Sequence, residues 1–317
     1  MTSLDPFSGR PIAADAATVL EDFRAAGAHP FHLYSVDEVR ERYERGCAES
    51  GLSGDSLDSV SDYAVREFAV RVYEPRASHG PAPVVLFFHG GGWIMGSRDT
   101  HDGLCRRLAS LTGLTVVAVD YRLAPEHPYP AAMEDSRAAL SWLVSEGAVH
   151  GLDVTSIVLA GDSAGGQLAT VLAIENAGAS RPLPVVGQVL IYPITDLTFS
   201  TPSYQRVTEG FPLVAGTMAW FADLYLPEGT DRTAPEISPA FAQLPPGLPP
   251  AYVLTVDNDP LVDEGADYAS ALAQAGTEVC FRHLPGYAHG LFTSAGRIPR
   301  GEQEVEKIAE FIRDHAA

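Results

Sequence analysis

A serine stands at the centre of Gly161-Asp162-Ser163-Ala164-Gly165-Gly166, directly after the apolar run Ser156-Ile-Val-Leu-Ala160 and directly before a segment of helical spacing. A strand that turns into a helix through G-x-S-x-G strains the backbone at the serine and lifts its hydroxyl clear, which is the arrangement of a nucleophile elbow. The helix N-terminus beneath the serine favours negative charge that develops during a reaction. Some seventy positions earlier, the apolar run Val84–Phe88 ends in His89-Gly90-Gly91-Gly92-Trp93. Backbone N–H groups of such a glycine run are free to point into a cavity. Acyl transfer needs donors of this kind, aimed at the oxyanion of a tetrahedral intermediate. Gly91, Gly92 and Ala164 are the expected three. A P-loop is excluded, because no G-x-x-x-x-G-K-[ST] occurs and Lys307 is the only lysine.

A nucleophilic serine needs a base, and the base needs an orienting carboxylate. Downstream of Ser163 stand His283, His289 and His315. His283 falls inside an expected strand and His315 lies almost at the C-terminus. His289 closes the Gly-containing stretch Leu284-Pro-Gly-Tyr-Ala-His-Gly290 and is the best base. For the acid, Asp257, Asp259 and Asp263 all lie where the apolar run Ala251–Val256 gives way to a loop and helix, and spacing does not choose among them. The run fails as a calcium loop, with Val262 at the sixth position and Tyr268 at the twelfth.

Five collinear stretches resemble the hormone-sensitive-lipase family of α/β-hydrolases, in particular its bacterial carboxylesterases with a GDSAG elbow. They are His89–Trp93, Asp120–Ala132, Gly161–Gly166, Asp259–Gly265 and His289-Gly-Leu-Phe292, and the resemblance covers roughly residues 65–315. It implies Ser163 as nucleophile, His289 as general base and then acid, and Asp259 as the orienting carboxylate. It also implies Gly91, Gly92 and Ala164 as oxyanion donors, and it makes Glu126 similar to a family glutamate that props up active-site loops. Two departures are small: Val262 stands where the family often has Arg, and Leu291 where it often has Phe. Both bear on specificity more than on catalysis. Asp162, beside the nucleophile, is expected in a structural hydrogen bond ahead of the alternative role of modulating His289 electrostatically.

These groups need a scaffold to bring them together. Short apolar or alternating runs at Phe68–Tyr73, Val84–His89, Thr115–Asp120, Ser156–Gly161, Val185–Tyr192, Ala251–Asp257 and Glu278–Leu284 predict strands. Helical spacing at His101–Leu111, Ala131–Ser145, Ala164–Glu175, Glu264–Ala275 and Gln303–Asp314 predicts helices between and after them. Such alternation predicts an α/β class with a mostly parallel sheet covered on both faces, and the resemblance implies the α/β-hydrolase fold with a helical cap. The expected segments are 1–60, with helices near Ala16–Ala26 and Val36–Cys47, as the N-terminal part of the cap; 61–195 and 247–317 as the core; and 196–246 as a cap insertion. A long insertion in a compact domain is usually a lid or binding element.

Within the insertion, Phe211, Leu213 and Met218, with Trp220 and Phe221, are candidate walls of an acyl or alcohol pocket. Trp93, beside the oxyanion glycines, and Phe31, His32 and Tyr34 are further candidates. Ligand sites are mostly apolar with few polar groups. For any single residue of the helical stretch, packing outweighs pocket.

The chain has 317 residues, 46% hydrophobic and 20% charged, with a net charge of −20. That composition is globular, and the charge repels phosphate backbones and anionic lipid, so nucleic acid is not an expected partner. Cys47, Cys105 and Cys280 form neither a disulfide framework nor a zinc pattern and read as buried small hydrophobes. With acidic residues through the first 22 positions and no apolar run of membrane length, a soluble cytoplasmic protein is expected. The expectation is a serine carboxylesterase for short- to medium-chain acyl esters, without metal or organic cofactor, acting on a small-molecule ester. The edge strand 278–284 is the expected site of any homodimer. Two alternatives share this scaffold: a tailoring enzyme that passes its acyl group to an alcohol or amine, and a ligand-binding protein without hydrolysis.

Overall fold

The computed structural model describes residues 9–27, 29–75, 81–180 and 182–316, so parts of the expected segments, at 1–8, 28, 76–80, 181 and 317, lie outside it. Two helices, α1 (Ala17–Ala25) and α2 (Val36–Ser50), precede the sheet. Helix α2 starts where the sequence supplies a capping box: the Ser35 hydroxyl accepts from Glu38 N–H, and the Glu38 carboxylate accepts from Ser35 N–H.

The strands are β1 (Ser59–Val65), β2 (Phe68–Glu74) and β3 (Ala82–Phe88), then β4 (Thr115–Asp120) after helix α3 (Asp102–Thr112). Helix α4 (Ala131–Ser145) leads to β5 (Val154–Asp162), α5 (Ala164–Ala177) to β6 (Val185–Ile191), and α6 (Pro202–Arg206) and α7 (Ala215–Tyr225) to β7 (Ala251–Asn258). Helix α8 (Val262–Gln274), β8 (Val279–Ala288) and α9 (Pro299–Ala316) complete the order. The eight strands form one sheet, ordered β1-β2-β4-β3-β5-β6-β7-β8. Pairs β1–β2 and β2–β4 are antiparallel and the rest parallel. This is the α/β-hydrolase architecture that the resemblance implies.

Alternate residues of one strand serve opposite layers. Val84, Leu86 and Phe88 pack with residues of α4, α5, α7 and α8, while Val85 and Phe87 pack with those of α3 and α9. A strand buried on both faces reads as a continuous apolar run, which is why β3 and β5 are plain in the sequence. Helix α5 is buried from Ala164 to Ala173, so the elbow is carried on a rigid central element.

Three features depart from expectation. Strand β1 was not foreseen: Ser59-Val-Ser-Asp-Tyr-Ala-Val lies at the sheet edge, half exposed and rich in polar residues. Helix α6 is a single short turn with Pro at its start. Strand β8 runs to Ala288, four residues past the expected end and through Pro285. An edge strand tolerates a residue without an N–H donor. Cys47 and Cys105 are buried as expected, but Cys280 is exposed on that edge. Among the described residues no helix is long and apolar enough to cross a membrane.

Candidate active site

Strand β5 ends at Asp162 and α5 starts at Ala164, leaving Ser163 alone to make the turn, at φ 55° and ψ −118°. For a residue with a Cβ this backbone is strained and persists only where the surroundings over-determine it. They do so here. Ser163 N–H donates to the Ile191 carbonyl at 2.9 Å, and Ile194 N–H and Gln167 N–H donate to the Ser163 carbonyl at 3.2 and 3.1 Å. The flanking glycines are required by close approach: a Cβ on Gly165 would lie 2.0 Å from the Phe88 carbonyl oxygen, and one on Gly161 2.3 Å from that of Gly165.

The loop after β3 lies against this turn. Gly90 N–H donates to Asp162 Oδ1 at 2.8 Å, so Asp162 takes the structural hydrogen bond foreseen for it. His101 Nε2 approaches the same oxygen to 3.0 Å. Burial pushes the Asp162 carboxyl up, but His101 and the Gly90 N–H together bring it below its ordinary value. His89 is stacked on Tyr121 at 4.2 Å, and burial, with His101 nearby, lowers it to about 4, so it is neutral at pH 7. Gly91 and Gly92 follow at φ 119° and 61°. Among the described residues no acceptor meets the N–H of Gly91, Gly92 or Ala164.

His289 follows directly on β8, and its Nδ1 meets Asp259 Oδ2 at 2.7 Å. Asp259 is fully buried, and its other oxygen accepts Leu261 N–H at 2.9 Å. With Nδ1 engaged, Nε2 is the nitrogen left to face a substrate. The other carboxylates are engaged elsewhere. Asp257 accepts from Gly286 N–H at 2.8 Å, from Arg10 at 2.8 Å, and meets His283 Nε2 at 3.0 Å. Asp263 accepts Ser203 N–H at 2.7 Å and so anchors α6. His283 is further held by Thr255 at 3.0 Å, and His315 Nδ1 meets its own helix at the Phe311 carbonyl.

Ser163, His289, Gly91 and Gly92 open into one cavity of about 700 Å³, within the range of small-molecule sites. Of the foreseen wall residues, Leu213, Phe221, Phe31 and Tyr34 line it. Trp93, Phe211 and Met218 do not, and these are corrections. Trp93 is fully buried and stacked on Tyr225 at 4.3 Å and 4°. Met218 faces the core layer, and Phe211 packs with Leu20, Val207 and Val214 under the Arg24 guanidinium. His32 instead meets the Thr217 hydroxyl at 3.1 Å.

The structure adds residues that sequence reasoning missed. From α2, Tyr43 and Cys47 line the cavity. Burial pushes the Cys47 thiol up to about 12, so it is a neutral thiol and no rival nucleophile at pH 7. Arg40, also on α2, donates to the Ile94 carbonyl at 2.8 Å and to Glu126 in a bidentate pair. Glu126, foreseen as a prop of the loops, acts on them through this arginine. Nothing in the spacing of a single helical Arg announces that role. Among the described residues, no group of three or more His, Cys, Asp or Glu is placed to hold a metal.

The family described as alpha/beta hydrolase fold matches residues 85–293. An ethyl acetate hydrolase of Pseudomonas putida is 35% identical over 96% of this chain and 98% of its own. The carboxylesterase NlhH of Mycobacterium tuberculosis is 41% identical over 74% of each chain. Among solved structures, an esterase of Pyrobaculum calidifontis superposes with a TM-score of 0.87 at 37% identity, covering 97% of this chain and 100% of its own.

Proposed function

The chain belongs to the hormone-sensitive-lipase branch of the α/β-hydrolase family and is a carboxylic ester hydrolase, and from that premise we propose that it works through Ser163, His289 and Asp259 on short- to medium-chain acyl esters. The observation that carries the reading is the buried Asp259–His289 hydrogen bond of 2.7 Å at a cavity shared with a serine of positive φ.

Asp259 fixes the imidazole with Nδ1 protonated, which leaves Nε2 as the base. Ser163 Oγ attacks the ester carbonyl as its proton passes to Nε2; the carbonyl oxygen becomes an oxyanion held by Gly91, Gly92 and Ala164 N–H groups. Collapse of the intermediate breaks the ester C–O bond, and the alcohol leaves with the proton from Nε2. Water then attacks the acyl-enzyme with His289 again as base, releasing the acid. The partly positive N-terminus of α5 supports the oxyanion.

Helices α1 and α2 and the insertion 196–246 act as the cap in this reading. A volume of about 700 Å³ walled by Leu213, Phe221, Phe31 and Tyr34 suits a modest acyl or alcohol group. Hydrolysis of p-nitrophenyl esters from acetate to palmitate, by the natural chain and by Ser163→Ala, tests the function. The expected result is a rate that peaks at short to medium chains and vanishes in the folded variant. Turnover by Ser163→Ala near the natural rate would remove Ser163 from the mechanism, and a peak at palmitate would overturn the chain-length assignment. A homodimer through edge strand β8, where Phe281 is 44% exposed, completes the reading. Sedimentation checks it: a Phe281→Glu chain should run as a monomer where the natural chain runs as a dimer, and a natural monomer would exclude it.

A further inference from the structure

Tyr192 occupies the position just after β6, and the chain on both sides of it is tied to the nucleophile. Ser163 N–H donates to the Ile191 carbonyl at 2.9 Å, and Ile194 N–H donates to the Ser163 carbonyl at 3.2 Å. Tyr192 N–H donates to Leu254 at 2.6 Å, on the strand that leads to Asp259. Held this way, Tyr192 takes a φ of 34°, in the left-handed region that a bulky residue rarely enters. Such strain persists only where it is over-determined, and it clusters at functional sites.

The strained backbone delivers the ring to the base. The Tyr192 ring lies 4.3 Å from that of His289, centroid to centroid, with planes tilted by 48°. It is 1% exposed, and the Phe292 ring packs on it at 6.0 Å. Residue 192 thus touches the base with its side chain while Ile191 before it and Ile194 two positions after it hold the backbone of the nucleophile.

We propose that Tyr192 is a positioning residue for His289, seating the imidazole and favouring the imidazolium formed when the Ser163 proton reaches Nε2. The inference rests on the Ser163–His289 reading above. An aromatic face within about 6 Å attracts a cation, most strongly where water is excluded. The other groups around His289 are Asp259 on Nδ1 and Asp162 on the elbow. Tyr43 and Cys47 face the same cavity from α2, both kept neutral by burial. Asp22 and Arg297 line it as a pair, and His29, Arg42, Arg45 and Glu49 line it from exposed positions. Asp259 and Asp162 are the carboxylates beside the imidazole, and Tyr192 adds the ring.

The test is the pH profile of kcat/KM, whose acid limb reports the base of the free enzyme. Tyr192→Phe should keep the limb and the rate. Tyr192→Leu, which keeps apolar bulk without the ring, should lower the limb by about half a unit or more and the plateau by roughly two- to thirty-fold. Phenylalanines of increasing fluorination at position 192 keep the shape and withdraw electron density, so the limb should fall stepwise; this series decides the matter if the Leu variant does not fold. An unmoved limb in both the Leu variant and the fluorinated series overturns the proposal, as does a Phe variant as impaired as Leu. Failure of the underlying triad reading is separate, since Ser163→Ala would then remain active.

Discussion

Arg40 and Glu126 stand 86 positions apart and meet in a bidentate ion pair, with Nη1 on Oε1 at 2.8 Å and Nη2 on Oε2 at 2.7 Å. The same guanidinium donates to the carbonyls of Ile94 and Ala124. One side chain of α2 therefore spans the glycine loop and the loop that follows β4. Planar bidentate geometry is what an arginine supplies and a lysine does not.

Glu126 is the weaker half of that strut. The Arg40 hydrogen bond lowers its carboxyl to about 2, so the pair's contribution is complete above the ordinary carboxylate value of about 4.5 and is lost as pH falls toward 2. Because Glu126 is 54% exposed, the contribution is about 1 kcal/mol or less. Thermal melts of Glu126→Gln and the natural chain should differ by about 1–2 °C at pH 7 and converge near pH 2. Arg40→Gln should do more, lowering kcat by roughly tenfold, because two loop carbonyls lose their donor. A kcat equal to that of the natural chain would deny the strut a role in catalysis.

Asp257 and Asp259 should separate cleanly by substitution. Asp259→Asn loses the imidazole orientation, and kcat should fall by about 10³–10⁴-fold with the melting temperature little changed. Asp257→Asn loosens contacts to Arg10, His283 and Gly286, so the melt should drop by about 2–5 °C while kcat stays within about threefold. Steady-state rates and melts of both variants decide this, and the reverse pattern would make Asp257 the orienting acid.

Gly92 tests the oxyanion loop by size. A Cβ there would lie 2.3 Å from the Phe221 ring, at a φ of 61°. Gly92→Ala should therefore reduce kcat by about 10²–10³-fold, comparable to losing one oxyanion donor. Adding Phe221→Ala removes the collision but not the backbone strain, so part of the rate should return. The measurement is kcat for the two single variants and the double variant. Full activity in Gly92→Ala would show that the loop does not need glycine there.

The elbow and the glycine loop proposed to act were legible because their requirements are local: the elbow needs small residues around one serine, and the loop is a run of glycines after a strand. Asp257 and Asp259 could not be told apart from spacing, being two positions apart at the end of one strand. Only the tertiary arrangement sends Asp257 to Arg10 and Asp259 to His289. The walls were harder still. Leu213 lines the cavity and Phe211, two residues earlier, does not, because their surroundings come from α1 and from loops far away in the chain. Trp93 shows the same limit: next to Gly91 and Gly92 in sequence, it belongs to the core through Tyr225. Strand β1 escaped notice because an exposed edge needs no apolar run.

The N-terminal stretch that lines the cavity through Ile12, Ala16, Val19 and Leu20 is fastened to the sheet by Ala13 N–H on the Gly286 carbonyl at 2.9 Å and by Arg10 on Asp257. The cavity therefore takes part of its lining from residues between Ile12 and Ala26, far in the chain from Ser163, Asp259 and His289. Substitutions at Ile12, Ala16, Val19 or Leu20 would therefore reshape the cavity without altering Ser163, Asp259 or His289.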